Sequence, residues 1–131
     1  MPIIEGTTGR KTAIAEYDFA VDGGAVGTIV LRGVDAIGNN IPNGAVVTAG
    51  FIDVLTGVAS ATGTVALQVE SAGDLLVAVS PTAALTTGRK SIVPAATGAT
   101  AVKTTASRNL TMVIGTAALT AGKFRLVVYY T

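Results

Sequence analysis

The chain has no cysteine, no histidine and no tryptophan. Without cysteine there is no disulfide framework and no thiolate zinc site. Without histidine there is no imidazole base, which excludes Ser-His-Asp and Cys-His catalysis. Charge is scarce as well. Nine Lys or Arg and eight Asp or Glu make up 13% of 131 residues and leave a net charge of +1, against roughly 25% charged in an ordinary soluble domain. A balance this close to neutral argues against a nucleic-acid platform, which shows a clustered basic excess. An apolar content of 50% excludes intrinsic disorder.

Long apolar runs are missing too. The longest charge-free stretch, Ala36 to Ile52, is broken by Gly38, Asn39, Asn40, Pro42, Asn43 and Gly44, whereas a membrane-spanning helix needs about 20 apolar residues. Three Tyr and three Phe are too few for the aromatic girdles of a membrane barrel. The opening MPIIEGTTGRK contains no apolar h-region, so no secretory signal is expected. Despite a mean hydropathy of +0.61, the sequence predicts a soluble protein with no membrane partner. The absence of cysteine fits assembly in a reducing compartment.

What the chain does contain is small and β-branched. It has 22 Ala, 19 Thr, 17 Val, 16 Gly and 9 Ile, a composition that suits pleated, half-buried strands. Period-2 alternation predicts a strand over Ala13–Val21, with Ala13, Ala15, Tyr17, Phe19 and Val21 on one face and Glu16 and Asp18 on the other. Further strands are predicted over Gly27–Gly33, Ala45–Leu55, Gly63–Val69, Asp74–Ser80, Ala99–Thr105 and Asn109–Gly115. Lys123–Thr131 alternates most clearly of all, and Lys90–Pro94 reads as a short edge strand. The turn-rich Asp35–Gly44 is a loop, and Pro81–Gly88 is one helical turn or a loop.

The predicted class is all-β: a single-domain β-sandwich, jelly-roll-like, of about eight strands. The long connections Asp35–Gly44 and Pro81–Gly98 suit Greek-key crossovers better than an up-and-down meander. An immunoglobulin-like sandwich fits the same pattern without its usual Cys and Trp markers. The domain is expected to span residues 12–131, preceded by an N-terminal arm, residues 1–11.

Candidate chemistry is thin. Gly6-Thr7-Thr8-Gly9-Arg10-Lys11-Thr12 is too short between its glycines for a phosphate loop and precedes a strand rather than a helix. The acids Asp22, Asp35, Asp53, Glu70 and Asp74 fall at strand ends and turns, with no dense calcium-loop spacing. No metal, no cofactor and no catalytic residue is expected, and the chain is read as not an enzyme. The pentapeptide TTGRK occurs twice, at Thr7–Lys11 and Thr86–Lys90. It reads either as two solvated basic turns or as two cationic loops meeting an acidic partner, with Arg10, Lys11, Arg89 and Lys90 as partner-contact residues. Two predicted strands are apolar on both faces. Val46, Ile52 and Val54 alternate with Val47, Phe51 and Leu55, and Leu75, Val77 and Val79 alternate with Leu76 and Ala78. Either small residues meet water harmlessly, or association covers the second face.

YDFAVDGGAVGTIVLRG (Tyr17–Gly33), IPNGAVVTAGFIDVLT (Ile41–Thr56) and LTAGKFRLVVYY (Leu119–Tyr130) resemble a group of small tailed-bacteriophage virion proteins of the head decoration, or cement, type. The resemblance implies a sandwich or jelly roll on the outside of the assembled capsid, where it bridges capsomers of the major capsid protein, often as a homotrimer. A protein that binds the expanded shell and not its dissociated parts stabilises that shell by mass action. On this view the N-terminal segment is an arm that orders on the shell. Two other roles are open to the same strand pattern: a head-fibre or tail-associated module binding a receptor or glycan, and an internal tail-tube or connector subunit. The adjacent Tyr129 and Tyr130 are the only aromatic pair available to a glycan site.

Overall fold

The computed structural model describes residues 11–34, 38–94 and 97–131. In chain order it runs through β1 (Lys11–Asp18), α1 (Phe19–Asp22), β2 (Gly27–Val30), β3 (Arg32–Gly33), β4 (Asn40–Ile41), β5 (Val46–Ala59) and β6 (Thr64–Gln68). It continues with β7 (Leu76–Val79), α2 (Pro81–Ala84), β8 (Gly88–Ser91), β9 (Val102–Lys103), β10 (Arg108–Asn109), β11 (Thr111–Gly115) and β12 (Ala121–Tyr130).

Eight of these strands carry the architecture. β6 pairs with β7, β5 with β8, β2 with β11 and β1 with β12, all antiparallel. These pairs nest inside one another like a single long hairpin. Rolling that ribbon brings β12 beside β5 and β11 beside β6. The result is one sheet ordered β3-β1-β12-β5-β8, with β9 also on β5, and a second ordered β2-β11-β6-β7. Numbered among the eight main strands, the sheets read 1-8-3-6 and 2-7-4-5, which is the two-Greek-key jelly roll expected from the strand spacing. A two-stranded ribbon, β10 with β4, sits beside them.

The core lies between the two sheets. Ala13, Ala15 and Tyr17 of β1, Phe124, Leu126 and Val128 of β12, and Val47, Ile52, Val54 and Val58 of β5 are all buried. They meet Val65 and Leu67 of β6 and Met112 and Ile114 of β11 in one apolar cluster. Alternation along each strand sends these side chains inward and their neighbours outward. Tyr17 and Phe124 are register partners, and their rings pack 5.4 Å apart at 33°. The Tyr17 hydroxyl donates to the Gly23 carbonyl at 2.6 Å, so the buried phenol keeps a partner.

Four departures from simple alternation have physical causes. The first strand stops at Asp18, whose side chain caps α1 by accepting from the Ala20 amide. The chain leaves the sheet there, and Val21 ends 66% exposed rather than on the core face. The expected strand Gly27–Gly33 is two strands in different sheets, because Leu31 turns inward between β2 and β3. On β5 a bulge shifts the register between Val47 and Ala49. Val47 therefore joins Ile52 and Val54 in the core, while Phe51 faces outward and Leu55 is exposed. On β7 the register slips between Val65 and Leu67 of its partner, burying Leu75 and leaving Val77 60% exposed. The predicted strand Ala99–Thr105 shrinks to Val102–Lys103. Pro81–Ala84 takes the single helical turn that was one of two alternatives, with Pro81 at its start. Of the expected arm, residues 1–10 lie outside the described residues, and β1 begins at Lys11.

Gly50 of β5 sits opposite Val128 of β12. A Cβ at Gly50 would collide with the Val127 carbonyl oxygen and with Ile92 Cδ1. Gly50→Ala is expected to destabilise the fold by about 1–3 kcal/mol, the usual range for overpacking. Gly57→Ala, whose Cβ meets nothing closer than 3.9 Å, is expected to stay within about 0.5 kcal/mol of wild type. Urea midpoints with unchanged m-values check both.

Burial, and then the negative charges of Asp22 and Asp18, push the Tyr17 phenol from 10.0 to about 12. The folded state thus favours the neutral phenol. Its contribution is complete below about pH 10 and is lost as pH rises toward the folded value. Tyr17→Phe is expected to cost about 1 kcal/mol at neutral pH and to flatten the alkaline decline. Unfolding midpoints followed across the alkaline range test this.

Candidate interaction surfaces

Among the described residues no three carboxylates come together as a metal cluster. None of their buried side-chain nitrogens or oxygens lacks a hydrogen-bond partner.

Lys11, the described residue of the first TTGRK, does not meet the second copy. Arg10 lies outside the described residues. Lys11 opens β1 opposite Tyr130 of β12, whereas Arg89 and Lys90 sit on β8 opposite Asp53 and Ile52 of β5. Two strands, β12 and β5, separate Lys11 from Arg89 and Lys90. Arg89 and Lys90 are strand residues on a sheet edge rather than a basic turn. The Arg89 guanidinium lies 4.3 Å from the centroid of the Phe51 ring, within cation–π range. Lys90 Nζ donates to Thr86 Oγ1 at 2.9 Å.

Cross-strand register builds a feature that no single strand announces. Arg32 of β3 stands opposite Glu16 of β1, Glu16 opposite Arg125 of β12, Arg125 opposite Asp53 of β5, and Asp53 opposite Arg89 of β8. Five side chains of alternating sign thus cross the outer face of the larger sheet. Arg125 Nε reaches Glu16 Oε2 at 3.5 Å. Arg32 turns its fork to Asp22, with Nε to Oδ1 at 3.0 Å, and this bond holds the guanidinium proton more tightly than usual. Opposite charges placed directly across strands each add roughly 0.2–1 kcal/mol. Beside this row runs an apolar one, Ile14, Val127 and Phe51. Tyr129 packs on Phe51 with ring centroids 6.3 Å apart. Tyr130, on the opposite face, packs against the core, so the tyrosine pair offers one outward ring.

A polar lock fastens the loops at one end of the sandwich. Glu70 accepts from the Thr105 amide at 3.0 Å and from its hydroxyl at 2.7 Å. Arg108 Nε donates to the same carboxylate at 3.0 Å. Nearby, Asp74 accepts three backbone amides, those of Val69, Glu70 and Ser71, each at 2.8 Å. The sequence marks Asp74 as a turn former beside Gly73, but the reach of Glu70 to Thr105 and Arg108 carries no local signal.

No protein-family model and no curated protein matches the sequence. Solved structures do match the fold. A chain in the capsid of Ralstonia phage GP4 aligns with a TM-score of 0.65 and 16% identity, over 99% of this chain and 88% of that one. One in the capsid asymmetric unit of cyanophage Pam1 gives 0.64 and 18%, over 99% and 89%. One in the acid-stable capsid of Helicobacter pylori bacteriophage KHP30 gives 0.60 and 17%, over 92% and 86%. At these identities the likeness is one of fold.

Hydrogen bonds from the Thr105 side chain and backbone, with Arg108 adding its own and its charge, hold the Glu70 carboxyl below the ordinary range. A depressed carboxylate contributes stability that is present above its unfolded value, about 4.3, and is lost as pH falls through the folded value. Glu70→Gln is expected to lower the urea midpoint at neutral pH and to leave a flatter acid limb than wild type. Parallel acid slopes would remove this role.

Proposed function

We propose that the protein is a structural component of a phage virion, a decoration (cement) protein on the outside of the assembled head. The observation that carries this reading is the jelly roll itself. Its strand order covers nearly the whole chain, and chains of the same fold occur in three solved phage capsids. The resemblance of Tyr17–Gly33, Ile41–Thr56 and Leu119–Tyr130 to decoration proteins points the same way. The protein binds the major capsid protein and bridges neighbouring capsomers, with self-association into trimers. It is made in the host cytoplasm and ends in the virion. No step of this role calls for catalysis.

The larger sheet supplies a chemistry suited to a protein partner. Its alternating row can exchange internal ion pairs for pairs with a shell of either sign, and β8 offers Arg89 and Lys90 at an edge. Arg10 and Lys11, in the arm and at its junction with β1, would meet acidic capsid residues. Arg offers carboxylates a bidentate fork.

The test is co-sedimentation with expanded, empty heads that lack the protein. Saturable binding is expected, together with a rise in the temperature at which the heads disrupt. Absence of binding to intact heads would sink the reading. Deleting Met1–Gly9 is expected to lower occupancy with the urea midpoint unchanged. Arg89→Glu with Lys90→Glu is expected to weaken binding more at low salt than at high salt.

A further inference from the structure

The turn between β4 and β5 carries the sequence's one Asn-Gly step, Asn43-Gly44. Ala45 N donates to the Pro42 carbonyl at 3.3 Å, and Gly44 has a φ of 78°. That is the type II pattern, which calls for glycine at its third position. Asn43 and Gly44 are both exposed. The other asparagines are followed by Asn40, Ile41 and Leu110, and their side-chain amides are engaged. Asn39 donates to the Leu31 carbonyl, and Asn40 Nδ2 donates to Asn109 Oδ1 at 3.1 Å. Asn43 has no side-chain bond of this kind among the described residues. Thr104, just after β9 and buried, closes over the turn. Its carbonyl accepts from the Gly44 amide at 3.1 Å, and its amide donates to the Ala45 carbonyl at 2.9 Å. Its hydroxyl donates to the Pro42 carbonyl at 2.7 Å and accepts from the Ala45 amide at 3.1 Å.

We propose that Asn43 is a self-modification site, a spontaneous deamidation whose pace the Thr104 clasp sets. The Gly44 backbone nitrogen attacks Cγ of Asn43. A bond from that nitrogen to Cγ forms and the Cγ–Nδ2 bond breaks. The Gly44 amide proton passes through water to the departing nitrogen, which leaves as ammonia. Water then opens the cyclic imide. Addition at Cγ gives an aspartate at position 43. Addition at the backbone carbonyl carbon breaks its bond to the Gly44 nitrogen and gives an isoaspartate, whose main chain runs through Cβ. Glycine favours the attack because it has no side chain to crowd the nitrogen. The clasp opposes it, since the Gly44 amide is committed to the Thr104 carbonyl. Reaction in the folded protein therefore passes through local opening of the turn, and the clasp fixes how often that occurs. Once made, the imide undoes its own restraint, because its nitrogen has no proton left for Thr104. The isoaspartate also lengthens the main chain between Pro42 and Ala45, the residue that leads into β5. Each event adds a negative charge and takes the net charge from +1 to zero.

Folded protein incubated in mildly alkaline buffer tests this, with peptide mass mapping and enzymatic isoaspartate methylation reading each asparagine. Asn43 is expected to convert while Asn39, Asn40 and Asn109 keep their amides, and the rate is expected to rise with pH. Thr104→Val removes both hydroxyl bonds and is expected to speed conversion about tenfold, through the larger open population that a lost buried hydrogen bond brings. Thr104→Ser keeps the hydroxyl and is expected to return the wild-type rate. Unfolded in urea, wild type and Thr104→Val are expected to convert equally, which ties their difference to the folded turn. Far-ultraviolet circular dichroism identifies the variants that fold. Should Thr104→Val not fold, wild-type protein in urea below its unfolding transition takes its place, with conversion expected to rise before circular dichroism changes. An Asn43 that keeps its amide in the folded protein while the unfolded chain converts overturns the proposal. So do equal rates for folded wild type and folded Thr104→Val, or a wild-type rate that stays flat below the transition.

Discussion

The structure depends on the double pairing of β12. This strand runs for ten residues between β1 and β5 and meets both antiparallel. Central strands need both edges satisfied, because a buried backbone amide without a partner costs more than a hydrogen bond gains. Phe124, Leu126 and Val128 on the inner face are fully buried; Phe124 and Leu126 lie in register with core residues on both sides, Tyr17 and Val54, Ala15 and Ile52, and Val128 lies between Ala13 and Gly50. Taking β12 away would separate β1 from β5 and open the core along its length. Wrapping the ribbon into two layers follows from the same pairing, since β1 and β12 are the outermost pair of the nested hairpin.

That pairing also writes the surface. Once Phe124, Leu126 and Val128 point inward, Arg125 and Val127 must point outward, and register sets what stands beside them. Glu16 and Asp53 arrive on either side of Arg125, and Ile14 and Phe51 on either side of Val127. One charged row and one apolar row therefore share a face. The smaller sheet receives no charge at all, so the molecule has one face suited to a polar partner and one suited to an apolar one.

Much of the fold was legible before any coordinates. Alternation in Ala13–Tyr17, Val65–Leu67, Met112–Ile114 and Phe124–Val128 identified strands and their buried faces, because a half-buried strand imposes a period of two on its own sequence. The even spacing of those strands, with long connections at residues 35–44 and 81–98, pointed to the jelly roll. Bulges were harder to see. The extra residue after Val47 turned a strand that looked apolar on both faces into one with a continuous core side. The short β4 fell within the expected loop Asp35–Gly44, because two residues carry no period.

Sequence alone determined what this protein is made to be: a β structure of small branched residues, without the imidazole or thiol that most catalysis and metal binding would use. Those properties are local or compositional, and composition survives any arrangement of the chain. Only the tertiary structure decided which charges stand together. Glu16, Arg32, Asp53, Arg89 and Arg125 come from five strands, and their alternation exists only in the register between strands. Pairing partners are chosen by long-range packing that no window of sequence contains. Lys11 from one copy of TTGRK and Arg89 and Lys90 from the other belong to strands set apart in the folded sheet.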